Sequence, residues 1–477
     1  MNSRARILFG AAAILLAGCR QEAPDGSLVL TQTPVGIPPP KAATVLDVRY
    51  PPGSRVVLLV PPFRPDTVRE LSTGLVAAGD PCVSWDGRWI YFAGKGSDGA
   101  DWQIYRVHAG GGQPEIVTRM PGGAMDPAIA AHEELVFSSP VPTAGQLWTS
   151  PTPAALYGQI PGQAPGRLTF GSDSAVGATV LRDGRVLFVS AEPRDNLHSP
   201  RHLCLFTINN DGTEVTAYAC QDAGVDFIRR PRELGDGRIA FLAERVEDPG
   251  PLGWAEGVRS AAPFATRGSL LPFPSVGCVS VEPVSKEDLL VCAETGGWVG
   301  RSMTTNAAVF RIAGNAAGLG TPLLEDPQWN SIEATPVEAR AEPAGHTSAV
   351  MPGAHHGTLL CLNVNDSSDP AVGMNPAPAA ELRVFALGAS GEQRVVGNVP
   401  VDSDGSVIVQ LPTEMPLGFD TLDAGGRVLR HQPAALWLRP GENRACVGCH
   451  EPRNHSPKDI RPLATMHGPA HLEFTAP

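Results

Sequence analysis

The sequence predicts an all-β chain, a β-propeller of six blades (five to seven) followed by a small β-sandwich-like domain, and three observations carry that prediction. Fifty-two Gly and 47 Pro with few Lys favour many turns between short strands over helices. An Asp-Gly-Arg turn followed by an apolar run recurs between about residues 45 and 340. From about Gly345 the repeat stops and strands of unrelated pattern take over.

Residues 1–18 read as an export signal. Arg4 and Arg6 supply positive charge, Ile7 to Leu16 form an apolar run, and Leu16-Ala17-Gly18-Cys19 closes it. The run is too short to span a bilayer and small residues precede the cysteine, the pattern of a segment that is cleaved. The ending resembles a bacterial lipobox, which implies that Cys19 becomes the acylated first residue of the mature chain. Several acyl chains, at about 0.8 kcal/mol per buried methylene, hold a globular body at a membrane. The expected location is therefore the periplasm-facing cell envelope, with the outer membrane favoured because Arg20 rather than Asp follows Cys19. Residues 19–45, rich in Pro, Gln and Gly, are the expected tether.

The formal charge is −12, and two positive charges leave with Arg4 and Arg6, taking the mature chain to −14. An acidic body repels phosphate backbones, so nucleic acid is excluded as a partner class.

Residues 46–342 are the expected propeller. Asp86-Gly87-Arg88 precedes Ile90-Tyr91-Phe92, Asp183-Gly184-Arg185 precedes Val186-Leu187-Phe188, and Asp236-Gly237-Arg238 precedes Ile239-Ala240-Phe241. Each is a turn whose Gly takes positive φ and feeds an apolar strand. Weaker copies at Leu135-Val136-Phe137 and Leu289-Leu290-Val291 give strand ends spaced by 45, 51, 53 and 50 residues, the period of a four-stranded blade. Strands at Val56 to Val60 and around Ile332 to Val337 are expected to close the ring. The phrase Asp80-Pro81-Cys82-Val83-Ser84-Trp85-Asp86-Gly87-Arg88 resembles the blade signature of the TolB-like propeller family. A propeller fold does not identify a ligand. The region contains neither a GxSxG nor a phosphate-binding loop, so its expected role is docking rather than chemistry.

Residues 345–445 are the expected β-sandwich-like domain, with strands at Gly357 to Val364, Glu381 to Leu387, Gln393 to Val399, Ser406 to Leu411, Thr421 to Leu422 and Arg427 to Leu429. Asp402-Ser403-Asp404-Gly405 and Asp423-Ala424-Gly425-Gly426 are hairpin turns; a calcium loop would need further oxygen ligands at set spacing that are absent here. Of the cysteines, Cys204 and Cys220 flank the turn Asn209-Asn210-Asp211-Gly212, and Cys278 and Cys292 flank Ser285-Lys286-Glu287. Cross-strand disulfides Cys204–Cys220 and Cys278–Cys292 are expected in an oxidising compartment, subject to register.

Chemistry is concentrated in residues 446–477, which open on Cys446-Val447-Gly448-Cys449-His450. Two thiols three positions apart, followed at once by an imidazole, form thioethers with both vinyl groups of a haem while the histidine ligates the iron. The predicted cofactor is one covalent haem c on Cys446 and Cys449, with His450 axial. Covalent haem attachment belongs to the exported compartment, so the two ends of the chain agree. The second axial position stays open. Met466 would give a higher-potential carrier, His467 or His471 a lower-potential bis-histidine one, and an open position a haem that binds small molecules. Between Arg439 and Arg461, the basic residues Arg439, Arg444, Arg453, Lys458 and Arg461 outnumber Glu442, Glu451 and Asp459 and are candidates for haem propionates.

With Asp404-Gly405-Ser406 and Pro416-Leu417-Gly418-Phe419-Asp420-Thr421-Leu422-Asp423 before it, the phrase from Trp437 to Glu451 resembles the middle domain of the hydrazine synthase alpha subunit family. The resemblance implies a propeller packed against a β-domain that carries a c-type haem at its edge, and it carries over Cys446, Cys449 and His450. That family's enzyme continues into a further haem-bearing domain and uses a tyrosine beyond the motif. Here 27 residues follow His450 without a second Cys-x-x-Cys-His, and no Tyr follows Tyr218. The leading functional expectation is electron transfer with a redox partner protein docked on the propeller. The alternatives are a haem oxidoreductase of peroxidase-like or nitrogen-oxide chemistry, and an envelope scaffold with a structural or sensory haem.

Overall fold

The computed structural model describes residues 22–36, 50–141, 154–171, 173–191, 203–219, 227–244, 253–273, 276–295, 306–367, 377–387, 392–449 and 461–473. Among them the first unit holds six antiparallel sheets. Their leading strands are Trp329–Pro336, Ala77–Val83, Met125–Ile129, Val176–Val180, Phe227–Glu233 and Cys278–Pro283. These touch one another in that order, and the last touches the first, so the sheets close a β-propeller. The second strands carry Phe92, Phe137, Phe188 and Phe241, all among the most deeply buried large side chains. Covered by a neighbouring sheet on each face, such strands read as unbroken apolar runs rather than alternating ones.

Ring closure corrects one boundary. Residues 19–45 were expected to be tether, but Leu28–Pro34 is a strand, buried from Leu28 to Thr33. It lies between Arg55–Leu59 and Trp329–Pro336, pairing Gln32 with both Arg55 and Ser331. One sheet is thus built from both ends of the propeller region, a partnership across about 300 residues that no local pattern reports.

The Asp-Gly-Arg turns form as the sequence dictates. Gly87, Gly184 and Gly237 have φ of 73°, 88° and 82°. The Asp86, Asp183 and Asp236 carboxylates accept the backbone N–H of the following Arg at 3.0, 3.1 and 3.0 Å. Less legible is a register shift repeated in the leading strands, centred on Asp80, Asp126, Gly177, Arg230 and Glu333, each with φ between 51° and 65°. A bulge re-aims the side chain it carries. Here it turns charged groups toward neighbouring sheets. Glu333 accepts from Thr31 Oγ1 (2.6 Å), Tyr50 Oη (2.5 Å), the Asp80 N–H (2.9 Å) and the Arg230 guanidinium. Asp126 accepts from Ser138 Oγ and the Gly177 N–H, both at 3.0 Å.

The connecting segment lies across the Asp-Gly-Arg turns: Arg340 N–H donates to Trp85 O (2.7 Å), Ala344 N–H to Arg182 O (2.9 Å) and His346 Nε2 contacts Asp183 O (2.6 Å). The second unit is two four-stranded sheets. One has the order Asn443–Gly448, His356–Asn363, Val407–Pro412, Ala470–His471, and the other the order Gln393–Pro400, Glu381–Leu387, Leu417–Leu422, Val428–Leu436. Leu359, Cys361, Val384, Val409, Leu411, Leu417 and Leu438 pack between them. The sandwich-like expectation holds, with its boundary moved. Residues 446–448 finish a strand that starts at Asn443, and Ala470–His471 adds another, so the expected tail is partly sheet.

The two units are packed together. Trp437, 4% exposed, lies in a cluster with Leu168, Phe170 and Val215 of the propeller, and its indole Nε1 donates to Gly212 O at 3.1 Å.

Candidate functional site

The two-thiol segment is positioned by the sheet. Asn443–Gly448 is an edge strand running parallel to His356–Asn363, with Ala445 opposite Leu360, Cys446 opposite Cys361 and Gly448 opposite Asn363. Side chains alternate across a strand. Asn443 and Ala445 are exposed, and Cys446 turns inward to pack against the domain core. The strand stops at Gly448, where a Cβ would sit 2.2 Å from Asp366 O, so any larger residue would push the chain off this course. Cys449 N–H then donates to Asp366 O (3.0 Å), and its thiol donates to Gln432 Oε1 (3.0 Å). Gln432 belongs to Val428–Leu436, the edge of the other sheet. Cys446 and Cys449 therefore sit where the edges of both sheets meet, at the open side of the sandwich.

Both thiols are half-buried, unlike Cys204, Cys278 and Cys292, which are buried. Two accessible thiols on a fixed edge are the donor set that thioether attachment of a haem requires, so the residues fit the group. His450 lies outside the described residues, as do Cys19 and Cys220, and with Cys220 the pairing Cys204–Cys220.

The other predicted pairing is not made. Cys278 and Cys292 are free thiols. A register shift sets Cys278 opposite Ala293 and Cys292 opposite Ser280, and the two side chains join different packing clusters on the two faces of their sheet. Cysteines pointing to opposite faces cannot be bridged without backbone movement. Burial pushes the Cys278 thiol up to about 12 and the Cys292 thiol up to about 11, so both are inert.

Of the second-ligand candidates, Met466 and His467 lie at the same end of the sheet as Cys446, whereas His471, paired with Gln410 and beside His356, lies toward the other end. A short 3-10 turn, Leu463–Met466, is moored by Leu463 N–H to Asp404 Oδ2 (2.8 Å) and Ala464 N–H to Ser406 Oγ (2.9 Å). Val407 pairs with Cys361 and Cys361 with Cys446, so two inter-strand spacings, about 10 Å, separate the strand beside this turn from the thiol. Met466 is 63% exposed. His467 has both ring nitrogens engaged, Nδ1 with Gly468 O and Nε2 with Asp402 Oδ2, each at 2.9 Å. The Gly468 carbonyl first, and then Asp402, hold its pKa above the usual imidazole value.

Two basic residues expected to face propionates have other work. Arg439 Nη1 donates to Arg167 O (3.0 Å) and to Glu414 Oε1 (2.9 Å), and Arg444 donates to Val215 O. Both tie the β-domain to the propeller. Glu442 joins them, accepting the N–H groups of Arg439 (2.8 Å) and Glu214 (2.9 Å), and burial raises its pKa.

One cluster has no signature in the sequence. His356 and His471, 115 positions apart in the chain, stand with ring centroids 4.2 Å apart, and Glu473 joins them. Burial first, and the neighbouring His471 next, hold the His356 pKa below its usual value. No local spacing could have signalled this, because strand pairing alone brings the residues together.

Residues 346–451 match the family described as hydrazine synthase alpha subunit middle domain. Hydrazine synthase subunit alpha of Kuenenia stuttgartiensis is 22% identical over 524 aligned positions, covering 84% of this chain and 63% of that protein. The chain thus spans less than two thirds of the curated relative it matches. Among solved structures, Kuenenia stuttgartiensis hydrazine synthase superposes with a TM-score of 0.80 over 93% of this chain and 72% of that one, at 18% identity, a likeness of fold. A putative TolB from Agrobacterium tumefaciens aligns over 53% of this chain and 89% of its own with a TM-score of 0.36 and 14% identity. Residues 346–451 thus match the hydrazine synthase alpha middle-domain family, and the chain as a whole is similar in fold to hydrazine synthase.

Proposed function

We propose that this chain is an envelope haem-c protein that transfers electrons, its propeller serving as the docking platform for a redox partner protein. The observation that supports it is the meeting of Cys446 and Cys449 at the open side of the sandwich, half-buried and fixed by strand pairing. In this reading Cys446 and Cys449 hold the haem covalently and His450 ligates its iron. When bound, the haem supplies one-electron redox chemistry at a potential set by its axial ligands and surroundings. The chain's own contribution is rigidity. Gly448 and the Asp366 carbonyl fix the approach of Cys449, and the paired strand fixes Cys446, so little rearrangement accompanies a change of charge. Cys19, acylated after export, would tether the assembly at the membrane with the propeller facing the periplasm.

One observation favours a second reading, a haem with an open iron position that binds a small molecule. Among the described candidates near the thiols, His467 is engaged at both ring nitrogens and Met466 is 63% exposed, so neither is packed in place as a second ligand.

An optical spectrum in both redox states decides between them. Low-spin spectra throughout, unaltered by carbon monoxide, support the carrier and should change to high-spin on Met466→Ala. A high-spin ferrous form that binds carbon monoxide supports the open site and overturns the carrier.

A further inference from the structure

We propose that His356, His471 and Glu473 form a site for a borderline divalent cation, Zn²⁺ in the first instance, separate from the haem-attachment cysteines. The three side chains offer ligand atoms that all lie within 4.8 Å of one another. His471 Nε2 and Glu473 Oε1 are 3.2 Å apart, close to the roughly 3.4 Å ligand–ligand edge of a tetrahedron with bonds of about 2.1 Å. Two imidazoles and a carboxylate are a donor set that suits Zn²⁺, with a fourth position left for water.

The fold builds this site on one face of one sheet. His356 pairs with Pro412, and Gln410, two residues earlier on the same strand, pairs with His471. Residues two apart share a face, so His356, Gln410, Pro412 and His471 project together, and Glu473 follows His471 by two. This is the sheet's outer face: Leu359, Cys361, Val409 and Leu411 point the other way into the core. Gln410 Oε1 also lies 3.0 Å from His471 Nδ1. A hydrogen bond to that nitrogen fixes the tautomer that leaves Nε2 for a metal, the usual outer-shell support of a ligating histidine. Five residues, about 17 Å of strand, separate His356 from the Cys361–Cys446 pair, so the two sites do not share ligands.

The site would also do mechanical work. Ala470–His471 is held to the sheet by a two-residue pairing with Val409 and Gln410. A cation bound between His356 and His471 would clip the segment that follows the Cys-x-x-Cys-His motif across the sheet.

The test uses the full, haem-loaded protein, stripped with chelator and titrated calorimetrically with ZnCl₂. One equivalent is expected to bind, with His356→Ala and His471→Ala each weakening it more than about tenfold and Gln410→Ala by about tenfold. Cu²⁺ substituted at the site should give an electron paramagnetic resonance signal with two-nitrogen coupling, reduced to one nitrogen in either histidine variant. Binding should also slow amide exchange at residues 470–473. His471 and Glu473 are exposed and His356 is half-buried, so thermal melts of the variants should stay close to the parent. Absence of a stoichiometric Zn²⁺ site, or affinity unchanged in both histidine variants, overturns the proposal.

Discussion

Cys446 is the register partner of Cys361 across two parallel strands. The first thiol of the pair is therefore anchored in the β-domain core, while the second, Cys449, reaches the edge of the opposite sheet through Gln432. A two-thiol motif held this way is pre-organised by the fold. Several consequences of that arrangement, and of the propeller behind it, can be measured.

Trp437 joins the two units. Trp437→Ala removes a buried indole and should cost about 3–5 kcal/mol, while Trp437→Phe, which leaves Gly212 O without its donor, should cost about 1–3 kcal/mol. Calorimetry should show the alanine variant unfolding in two separated transitions. A single transition at the parent temperature would show that the units are not energetically joined here.

Two turn glycines separate backbone strain from steric fit. At Gly237, φ is 82° and a Cβ meets nothing within 4 Å, whereas at Gly184, φ is 88° and a Cβ would lie 2.1 Å from Ala344 O. Gly237→Ala should cost about 1–2 kcal/mol from the left-handed conformation alone. Gly184→Ala adds an overpacking term of about 1–3 kcal/mol and should loosen the connecting segment. Equal losses in denaturant titrations would mean that the segment does not rest on this turn.

Arg230 and Glu333 form a buried ion pair, their side chains 10% and 3% exposed. Arg230→Met or Glu333→Gln alone leaves a buried charge or polar cluster uncompensated, costing about 3–5 kcal/mol. The double variant should lose less than the sum, with a coupling of about 1–3 kcal/mol. Additive losses in the cycle would remove this pair from the account of ring closure.

Asp211 gives a pH dependence of known sign. Desolvation acts to raise its pKa, but hydrogen bonds from Thr213 Oγ1 and N–H and from the Ala349 N–H and Ser348 Oγ outweigh it, so the folded pKa lies below the usual aspartate value. Its stabilisation is complete above the unfolded pKa of about 3.9 and is lost as pH falls through the folded value. Melting temperature followed from pH 7 to pH 2 should drop more steeply at the acid end for the parent than for Asp211→Asn. Parallel curves would contradict this.

What the sequence made legible was local. Asp-Gly turns and the apolar runs ending at Phe92, Phe137, Phe188 and Phe241 announce themselves within ten residues, because glycine conformation and strand burial are short-range effects. The Cys-x-x-Cys-His motif is legible for the same reason. What stayed hidden depends on pairing between distant segments. Leu28–Pro34 finds its partner near residue 330, the bulges at Asp80 and Glu333 appear only when sheets meet, and His356 meets His471 through an intervening strand. Arg439 and Arg444 are close to the motif in sequence, yet each donates to a propeller carbonyl, Arg167 O and Val215 O. Cys278 and Cys292 flank one turn in the sequence, yet a single register shift sets them on opposite faces.

The central claim is covalent haem on Cys446 and Cys449. The direct measurement is the intact mass of the denatured mature protein, produced in cells with c-type cytochrome maturation, compared with a Cys446→Ala/Cys449→Ala variant. The account predicts a mass raised by one haem in the parent and no such increment in the variant. A parent protein of unmodified mass, made under conditions in which a control cytochrome is fully haem-loaded, would contradict it.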